Sequence, residues 1–227
     1  ARRHQIELRP VDVNRSSVEC TIEDDVTGNV KTAVRLGYRY VKGLAEAAWQ
    51  KLEAERANGL YTSLWDFWRR TSLQREAIEN LIRLGAFSWT KLHERELLWQ
   101  LGTFYRPLGM QMPLGLLPAA TTPLLPEMTH KQRVGTDFLL TGIAVRGRMM
   151  DLVREGLYEG ITPSFALDDL KPGDKVTVAG LVAVRQSPET AKGFVFHTLE
   201  DDYGLMNIIT KPALVREKRW RRFIQNA

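Results

Sequence analysis

Hydrophobic and polar positions follow three different patterns along the 227 residues. Up to about residue 33, short extended pieces such as IELRPVDV alternate with the turn-rich DDVTGN. Apolar residues then recur at helical spacing through residues 34–105, which predicts a set of short helices. After a proline-rich stretch, β-rich runs from residue 136 onward are joined by short turns, which predicts an antiparallel meander. The whole pattern predicts an α+β chain.

Residues 34–105 are predicted to form four short helices. The first ends at an Asn-Gly pair, which is typical of a helix C-terminus. Ser63 and Asp66 have the spacing of a capping box and indicate where the second begins. One apolar stripe, followed by Gly85 at the C′ position, defines the third. The first and fourth helices are expected over residues 44–58 and 91–101.

Residues 106–135 have the composition of a connector, because five prolines fall between residues 106 and 126 and block helix formation. Beyond them, KVTVAGLVAVRQ, FVFHTLE and LMNIIT predict three strands. Gly180, inside the first run, predicts a bulge or a sharp bend. Three strands cannot close a barrel, so an oligonucleotide-binding barrel would be incomplete here. A basic helix, ALVREKRWRRFI, is expected to follow.

Composition narrows the class of protein. Apolar residues make up 44% of the chain and charged residues 26%, as in folded globular proteins. The chain has no apolar stretch of about 18 residues and no signal core at its start, so we expect a cytoplasmic protein without a membrane span. The single cysteine, Cys20, excludes an internal disulfide. A net charge of +5 favours a polyanionic partner only weakly, so any contact with nucleic acid would come from individually placed groups.

The stretch VKGLAEAAWQKL carries the most specific chemistry. A helix N-terminus presents unpaired backbone N–H groups and the positive end of its dipole, so it can hold a phosphate. Gly43, just before the predicted helix, lets the backbone approach a ligand closely and take a positive φ. Lys42 adds a mobile cation, with Arg39 and Arg35 upstream. The alternative is a plain turn between helices that happens to contain a glycine.

Three segments resemble one protein family. VRLGYRYVKGLAEAAWQKL and SLWDFWRRTSLQREAIENLIRLGAF resemble the tandem helix-hairpin-helix region of the bacterial C-family DNA polymerases. ARRHQIELRPVDVNRS resembles the end of the fingers in that family, and VAGLVAVRQSPETAKGFVFHTLEDDYGLMNII resembles its oligonucleotide-binding (OB) domain. RPVDVNRS and VRQSPETAKG are closer to the error-prone branch than to the replicative one. The similarity runs from residue 1 to about residue 224, with the motifs in the family's order.

The resemblance implies an α+β fold in which a helical helix-hairpin-helix module is followed by a partial OB-type β-barrel. It implies four regions: the end of a fingers-like region (1–33), the helix-hairpin-helix module (34–105), a Pro-rich connector (106–135) and an incomplete OB-type domain (136–227). The parent protein would be a DNA-directed DNA polymerase of translesion or damage-induced synthesis. Its partners would be duplex DNA, single-stranded template and other translesion-synthesis proteins.

The same resemblance places the catalytic palm and its aspartates upstream of residue 1. The Mg²⁺ expected for the parent polymerase would be bound there. We therefore expect no catalytic residue, no metal ligand and no cofactor in this segment itself.

The residues expected to contact DNA fall into two groups. Those of the hairpin are Arg39, Lys42, Gly43 and Ala45. Ala45 departs from the Gly-x-Gly that is usual in the family, and restoring glycine there would cost about 1 kcal/mol of helix propensity. In the strand region a basic groove and aromatic faces would bind a single strand. The candidates there are Arg185, Lys192, Gly193, Phe194, Phe196 and Lys211.

The strand pattern leaves the binding face open. Phe194 and Phe196 share one face of their strand, while Val195, His197 and Leu199 share the other. Both faces hold apolar groups, so either could be the core. Core packing and base stacking therefore remain alternatives for the two phenylalanines.

Two other functions stay open. The acidic triplets at residues 23–25 and 200–202 raise the alternative of a metal nuclease, because carboxylates can hold two Mg²⁺ ions. The second triplet precedes Gly204, however, where aspartate is typical of a tight turn. A free-standing nucleic-acid-binding module without catalysis is the other alternative. The face of the last helix that is rich in arginine is either solvated or directed to DNA, and Trp220 is expected on its buried side.

Overall fold

A computed structural model describes residues 6–23, 32–105, 123, 125–153, 156–157, 159–220 and 224. These residues form two compact units that divide between Gly147 and Arg148. Helices dominate the first unit, and an antiparallel sheet lies at the centre of the second. The α+β class predicted from the sequence is confirmed. No helix among the described residues is long and apolar enough to cross a membrane.

The described part of the first unit combines a small mixed sheet with five α-helices. In the sheet, the third strand lies between a parallel first strand and an antiparallel second strand. The strands are β1 (Glu7–Arg9), β2 (Thr21–Glu23) and β3 (Ala33–Arg35). The helices are α1 (Glu46–Ala57), α2 (Leu64–Thr71), α3 (Arg75–Arg83), α4 (Glu94–Phe104) and α5 (His130–Thr141).

Local signals in the sequence set the ends of these helices. Ser63 Oγ accepts a hydrogen bond from the Asp66 N–H at 3.0 Å, while the Asp66 carboxylate accepts from the Thr62 N–H at 3.1 Å. The predicted cap is therefore present, but its reciprocal bond goes to the residue before Ser63. Gly59 and Gly85 follow α1 and α3 with φ of 111° and 76°, where glycine avoids the steric cost of a Cβ.

The fourth helix begins later than the sequence pattern indicates. Lys91 has a φ of 61°, in the left-handed region, and so cannot be the first residue of an α-helix. The N-cap is His93, whose N–H donates to the Glu96 carboxylate at 2.8 Å. This bond satisfies a donor at the helix start and fixes the beginning of α4 at Glu94.

Residues 6–23 pack as an integral part of the helical unit. Val13 is fully buried in the same hydrophobic cluster as Tyr38 and Phe67. The Asn14 side chain donates to the Tyr61 carbonyl at 3.0 Å and accepts from the Tyr61 N–H at 2.8 Å. The core of this unit therefore draws on residues on both sides of position 33.

Helix α5 extends on both sides of position 135, which the sequence pattern predicts to be the end of the proline-rich connector. Arg146 connects the loop after α5 to two helices. Its guanidinium donates to Asp137 of α5 at 2.7 Å and to Glu94 of α4 at 2.8 Å. Asp137 is only 1% exposed, so its charge needs this partner. The first unit consequently continues past the predicted connector. The connector's residues 106–122 lie outside the described residues.

The second unit is built around an antiparallel meander in which the middle strand pairs with both others. Among the described residues of this unit, these strands form the only sheet, and it does not close on itself. An open sheet of this kind is what an incomplete OB-type barrel would contain. The elements are β4 (Leu181–Gln186), β5 (Val195–Glu200), β6 (Leu205–Thr210) and a short helix, α6 (Pro212–Arg216).

The bulge predicted at Gly180 occurs elsewhere. Strand β4 begins after this glycine, and its pairing with β5 shifts register between Val182 and Val184. At Gly180 an added Cβ would lie 2.9 Å from the Glu200 carbonyl oxygen, closer than real Cβ atoms approach a backbone. The glycine is thus required by close packing against β5, and the extra residue of the bulge falls in the strand itself.

The prediction of one continuous basic helix at the end of the chain is wrong. Helix α6 ends at Arg216, its C-cap Glu217 has an extended ψ of 121°, and helical geometry resumes at residues 218–220. This helix buries none of its residues, so packing does not favour a longer helix. Trp220, expected on a buried face, is 38% exposed, and the Arg219 guanidinium lies 4.7 Å from its ring centre. Residues 221–223 of this prediction lie outside the described residues.

Candidate nucleic-acid interface

The turn before α1 has the geometry that the sequence predicted. The Leu44 N–H donates to the Val41 carbonyl at 3.3 Å, and Gly43 has a φ of 79°. Glycine takes a positive φ at this position of a tight turn without steric cost. Val41 and Leu44 are buried, whereas Lys42 and Gly43 are exposed. The buried side chains of Val41 and Leu44 therefore flank the exposed Lys42-Gly43 pair at the tip of the turn.

Helix α1 begins without a side-chain cap. Its N-cap is Ala45, which has no oxygen to accept from the first-turn amides. Among the described residues, none accepts a hydrogen bond from the N–H groups of Gly43, Ala45, Glu46 or Ala47, and all four residues are exposed. These donors lie at the positive end of the helix dipole, where a phosphate can bind. The Glu46 carboxylate lies in the same first turn and opposes an anion, while Lys42 offsets it.

The cations near this turn differ in their availability. Arg35 is 6% exposed and binds the Glu23 carboxylate, with 2.9 Å between Nη2 and Oε2, so its charge is used inside the protein. Arg39 is exposed but forms an ion pair of 2.7 Å with Glu19. Lys42 forms no ion pair with any residue that the structure describes. Lys42 is therefore the cation most directly available to an anion at the turn.

A second glycine turn, between α3 and α4, is closed. The Gly85 N–H donates to the Ile82 carbonyl at 2.9 Å, and the Ala86 N–H donates to the Leu81 carbonyl at 3.0 Å. The position of an added Cβ on Gly85 lies 3.1 Å from Arg146 Nη1. The amides of this turn are thus satisfied within the protein, and an arginine covers its glycine. The sequence placed Gly43 before a helix and Gly85 at the end of one, and of these two turns only the first presents free donors among the described residues.

One buried polar residue near the first turn was missed from the sequence. Asn80 lies in α3 and is 6% exposed. Its side-chain Nδ2 donates to the Lys42 carbonyl at 3.1 Å, across 38 residues of sequence. The signal that could have found it is its position among apolar residues on the buried stripe of α3, where an unpartnered amide would be costly.

The sheet of the second unit resolves which strand face is buried. Val195 and His197 are 2% and 7% exposed, whereas Phe196 is 36% exposed. Phe196 is registered opposite Gln186 on β4 and Ile209 on β6, and residues directly opposite each other share a face. The face that carries Phe196 is therefore the outward face.

This outward face is largely apolar. Besides Phe196, its exposed apolar side chains include Val184, Leu205 and Ile209, which are 45%, 47% and 59% exposed. Thr198 Oγ1 and Asn207 Oδ1 are 3.1 Å apart on the same face. A surface with one aromatic ring and aliphatic neighbours can stack against bases, which present an apolar face of their own.

Arg185 does not share that face. Arg185 is registered opposite His197, on the inward side, and its Nε donates to the Ile224 carbonyl at 2.9 Å. His197 Nε2 lies 3.3 Å from the same oxygen. Arg185 is thus directed toward the end of the chain and away from the ring of Phe196. Phe194 is half-buried and precedes β5.

Two lysine candidates lie at one end of the sheet. Lys192 and Gly193 form a turn in which both residues have positive φ, of 50° and 86°. Lys211 is the N-cap of α6, and Pro212 lies 3.5 Å from the position of a Cβ on Gly193. The register between Val195 and Thr210 confirms that both segments leave the sheet at the same end. Both lysines are exposed there.

The second acidic triplet builds a turn. The Asp201 carboxylate accepts hydrogen bonds from the N–H groups of Ser164 at 2.7 Å and of Tyr203 and Gly204 at 2.8 Å. Burial raises the pKa of the Asp201 carboxyl, but these bonds outweigh it and hold the pKa below its usual value. Among the described residues, no group of three or more histidine, cysteine or acidic side chains is arranged to hold a metal. Residues 24–25 of the first triplet lie outside that part of the chain.

Known proteins with similar sequences include DNA polymerases. A family model described as a helix-hairpin-helix motif matches residues 5–97. Over 96% of its length the chain is 36% identical to the error-prone DNA polymerase 2 of Agrobacterium fabrum, and it covers 21% of that protein. It is 35% identical over 96% of its length to the error-prone DNA polymerase of Corynebacterium glutamicum, and 34% identical over 100% to that of Anaeromyxobacter dehalogenans.

The first unit thus carries a helix-hairpin-helix motif. Along 96–100% of its length the chain is similar to one region of the error-prone DNA polymerases. It spans about a fifth of the length of these relatives, with coverage of 20–21%. The predicted resemblance to the C-terminal region of this polymerase family is confirmed.

Proposed function

We propose that this chain is the DNA-holding portion of an error-prone DNA polymerase, and that the turn before α1 binds a phosphate of duplex DNA. The observation that carries the proposal is the set of free donors on Gly43, Ala45, Glu46 and Ala47 beside the exposed Lys42. Contacts of this kind hold the sugar–phosphate backbone without reading bases. A polymerase that must accept any template sequence needs a grip of this type.

The outward face of the second unit's sheet supports binding of a single-stranded template. Phe196 offers a ring for stacking, and the Lys192 and Lys211 side chains at one end of the sheet can meet phosphates. Stacking tolerates every base, because each base has a π-face. Arg185 contributes less to this proposal because its guanidinium bonds to the Ile224 carbonyl.

We infer that the catalytic centre of the parent polymerase lies outside this chain. Nucleotidyl transfer in translesion synthesis would use the palm of the whole polymerase and its Mg²⁺ ions, with this chain positioning the template. A primer–template assay with Mg²⁺ and four nucleotides is expected to show binding without extension or nicking. Nicking that disappears in Asp201→Asn would favour the metal-nuclease alternative. Extension that disappears in the same variant would indicate another activity of this chain.

An amide-resolved NMR titration tests the hairpin contact. When short duplex DNA is added to the ¹⁵N-labelled chain, the amide protons of Gly43, Ala45, Glu46 and Ala47 are expected to shift downfield. The amide of Gly85 donates within the protein and serves as the internal control. Duplex binding that leaves the four hairpin amides unchanged would show that DNA is held elsewhere. A free-standing nucleic-acid-binding module predicts the same shifts and differs only in lacking an attached palm.

A further inference from the structure

The backbone of Lys42 is held from two sides. Its N–H donates to the Leu140 carbonyl, near the end of α5, at 2.9 Å. Its carbonyl accepts from Asn80 Nδ2 at 3.1 Å. Asn80 Oδ1 accepts in turn from Arg83 Nη1 at 3.4 Å, which sets the orientation of the side-chain amide. The tip of the turn is therefore fixed by residues that do not lie in it.

This arrangement determines the direction of the next amide. In a trans peptide the carbonyl and the following N–H point in opposite directions, and the described chain has no cis peptide. Because the Lys42 carbonyl points inward to Asn80, the Gly43 N–H points outward. Rotation of this peptide by half a turn would present a carbonyl oxygen to the phosphate and repel it.

Gly43 itself cannot enforce this orientation. Glycine has a wide range of allowed backbone conformations, so the Lys42–Gly43 peptide is easier to rotate than a peptide flanked by two bulkier residues. The missing Cβ also allows the contact, since a Cβ on Gly43 would lie only 3.1 Å from Asn80 Nδ2. The glycine that lets DNA approach therefore needs an external constraint on its peptide, and Asn80 supplies one.

We propose that Asn80 is a positioning residue for DNA binding, which orients the Lys42–Gly43 peptide so that the Gly43 N–H faces the phosphate. The inference rests on the proposed function of the hairpin and adds a residue of α3 that does not itself touch DNA. Asn80 acts through a neutral hydrogen bond. Its loss should therefore change the affinity for DNA without changing the number of charges that meet phosphates.

The test replaces Asn80 in the full chain. Asn80→Ala removes the donor, and Asn80→Leu removes it while keeping most of the side-chain volume. Both are expected to weaken duplex binding by roughly 5- to 150-fold, the range for a buried polar group left without its hydrogen bond. The slope of log affinity against log salt should stay at its wild-type value, because Lys42 is retained. Fluorescence anisotropy across a salt series measures both quantities.

Asn14→Ala is the matched control. Asn14 also bonds to backbone in the first unit, through the Tyr61 N–H and carbonyl, and not to the hairpin. It is expected to lower the thermal unfolding temperature while leaving duplex affinity unchanged. If Asn80→Ala does not fold, the duplex affinity of Asn80→Leu decides the test. It is measured at a temperature at which circular dichroism shows that this variant is folded.

The Gly43 amide signal separates the possible outcomes. In the wild type it should move downfield when duplex is added, and in both Asn80 variants it should not. A folded Asn80 variant with wild-type affinity and a wild-type Gly43 shift would overturn the positioning role. If the wild-type Gly43 signal does not respond while duplex binds, the phosphate site itself is wrong, and that failure is distinct from a failure of Asn80.

Discussion

Arg39 and Glu19 form an ion pair beside the hairpin, with 2.7 Å between Nη2 and Oε1 and with side chains that are 59% and 60% exposed. The segment that carries Glu19 is held there, because the Arg39 N–H donates to the Val18 carbonyl at 3.1 Å. Gly37 permits this closeness, since an added Cβ would lie 2.4 Å from the same oxygen. An ion pair this exposed contributes at most about 1 kcal/mol, so a phosphate can replace Glu19 as the partner of Arg39.

Removing the competing carboxylate should therefore strengthen DNA binding. We predict that Glu19→Gln raises duplex affinity several-fold and steepens the log–log salt slope by about one unit, because Arg39 then meets a phosphate. Glu7→Gln changes the charge equally at an ion pair between the exposed Glu7 and the half-buried Arg9, and should do neither. Anisotropy with one duplex across a salt series measures both effects. Equal responses of the two variants would mean that only net charge matters.

Position 45 should separate helix stability from DNA binding. The sequence interpretation placed Ala45 inside the helix, but it is the N-cap, where glycine is favoured over alanine. Ala45→Gly is therefore expected to cost no helix stability and to tighten duplex binding by allowing closer approach. Ala45→Ser should stabilise α1 by about 1 kcal/mol, because its hydroxyl accepts a first-turn amide, and should weaken binding by competing with phosphate.

Thermal unfolding and duplex titration of these two variants provide the check. The decisive result is that Ala45→Ser raises the stability of α1 and lowers the affinity for duplex DNA. If Ala45→Ser strengthens both, the first-turn amides are not the groups that meet DNA.

The exposed ring of Phe196 should matter for single strands only. Phe196→Ala is expected to weaken single-strand binding by about 1–3 kcal/mol, the range for one stacked base, and to leave hairpin-mediated duplex binding unchanged. Ile209→Ala, at the cross-strand position of the same face, removes apolar area without removing a ring and should have the smaller effect. Titrations with labelled oligonucleotides measure this. Equal losses from the two variants would indicate apolar contact without stacking.

Glu23 should make the first unit sensitive to acid. The hydrogen bond from Arg35, opposed by burial and aided by Arg9, lowers the pKa of the Glu23 carboxyl to about 2. Because the folded-state pKa lies below the usual value of 4.5, Glu23 stabilises the fold above about pH 4.5, and this contribution is lost as the pH falls toward 2. Glu23→Gln should therefore be less stable than the wild type at neutral pH, with a difference that shrinks on acidification.

Urea unfolding followed by tryptophan fluorescence at several pH values measures this difference. Five of the six tryptophans lie in the first unit, so the signal reports chiefly on it. A difference between wild type and Glu23→Gln that stays constant down to low pH would contradict the assigned pKa.

Local features of the fold could be predicted from the sequence because their causes are local. The positive φ of Gly43 follows from its place in a tight turn, and the Ser63 cap from its spacing to Asp66. The three strands of the meander were recognised from their apolar runs. In the candidate site, Lys42 and Gly43 were identified for the same reason, since turn and helix start are adjacent in sequence.

The remaining features depend on contacts between distant residues, which a pattern does not encode. The sequence placed the Arg35 cation near the predicted DNA site, but its guanidinium bonds to the Glu23 carboxylate on a neighbouring strand. The outward direction of Phe196 follows from what covers the opposite face of the sheet. Asn80 reaches the hairpin from another helix, so no signal around the glycine indicated it.

The salt dependence of duplex affinity in Lys42→Ala tests most directly whether the turn before α1 holds a DNA phosphate. We predict weaker binding to every duplex sequence alike and a log–log salt slope smaller by about one unit, because one fewer counterion is released. Lys51→Ala removes the same charge from an exposed position further along α1 and should leave the slope unchanged. A folded Lys42→Ala protein with wild-type affinity and a wild-type slope would contradict the claim.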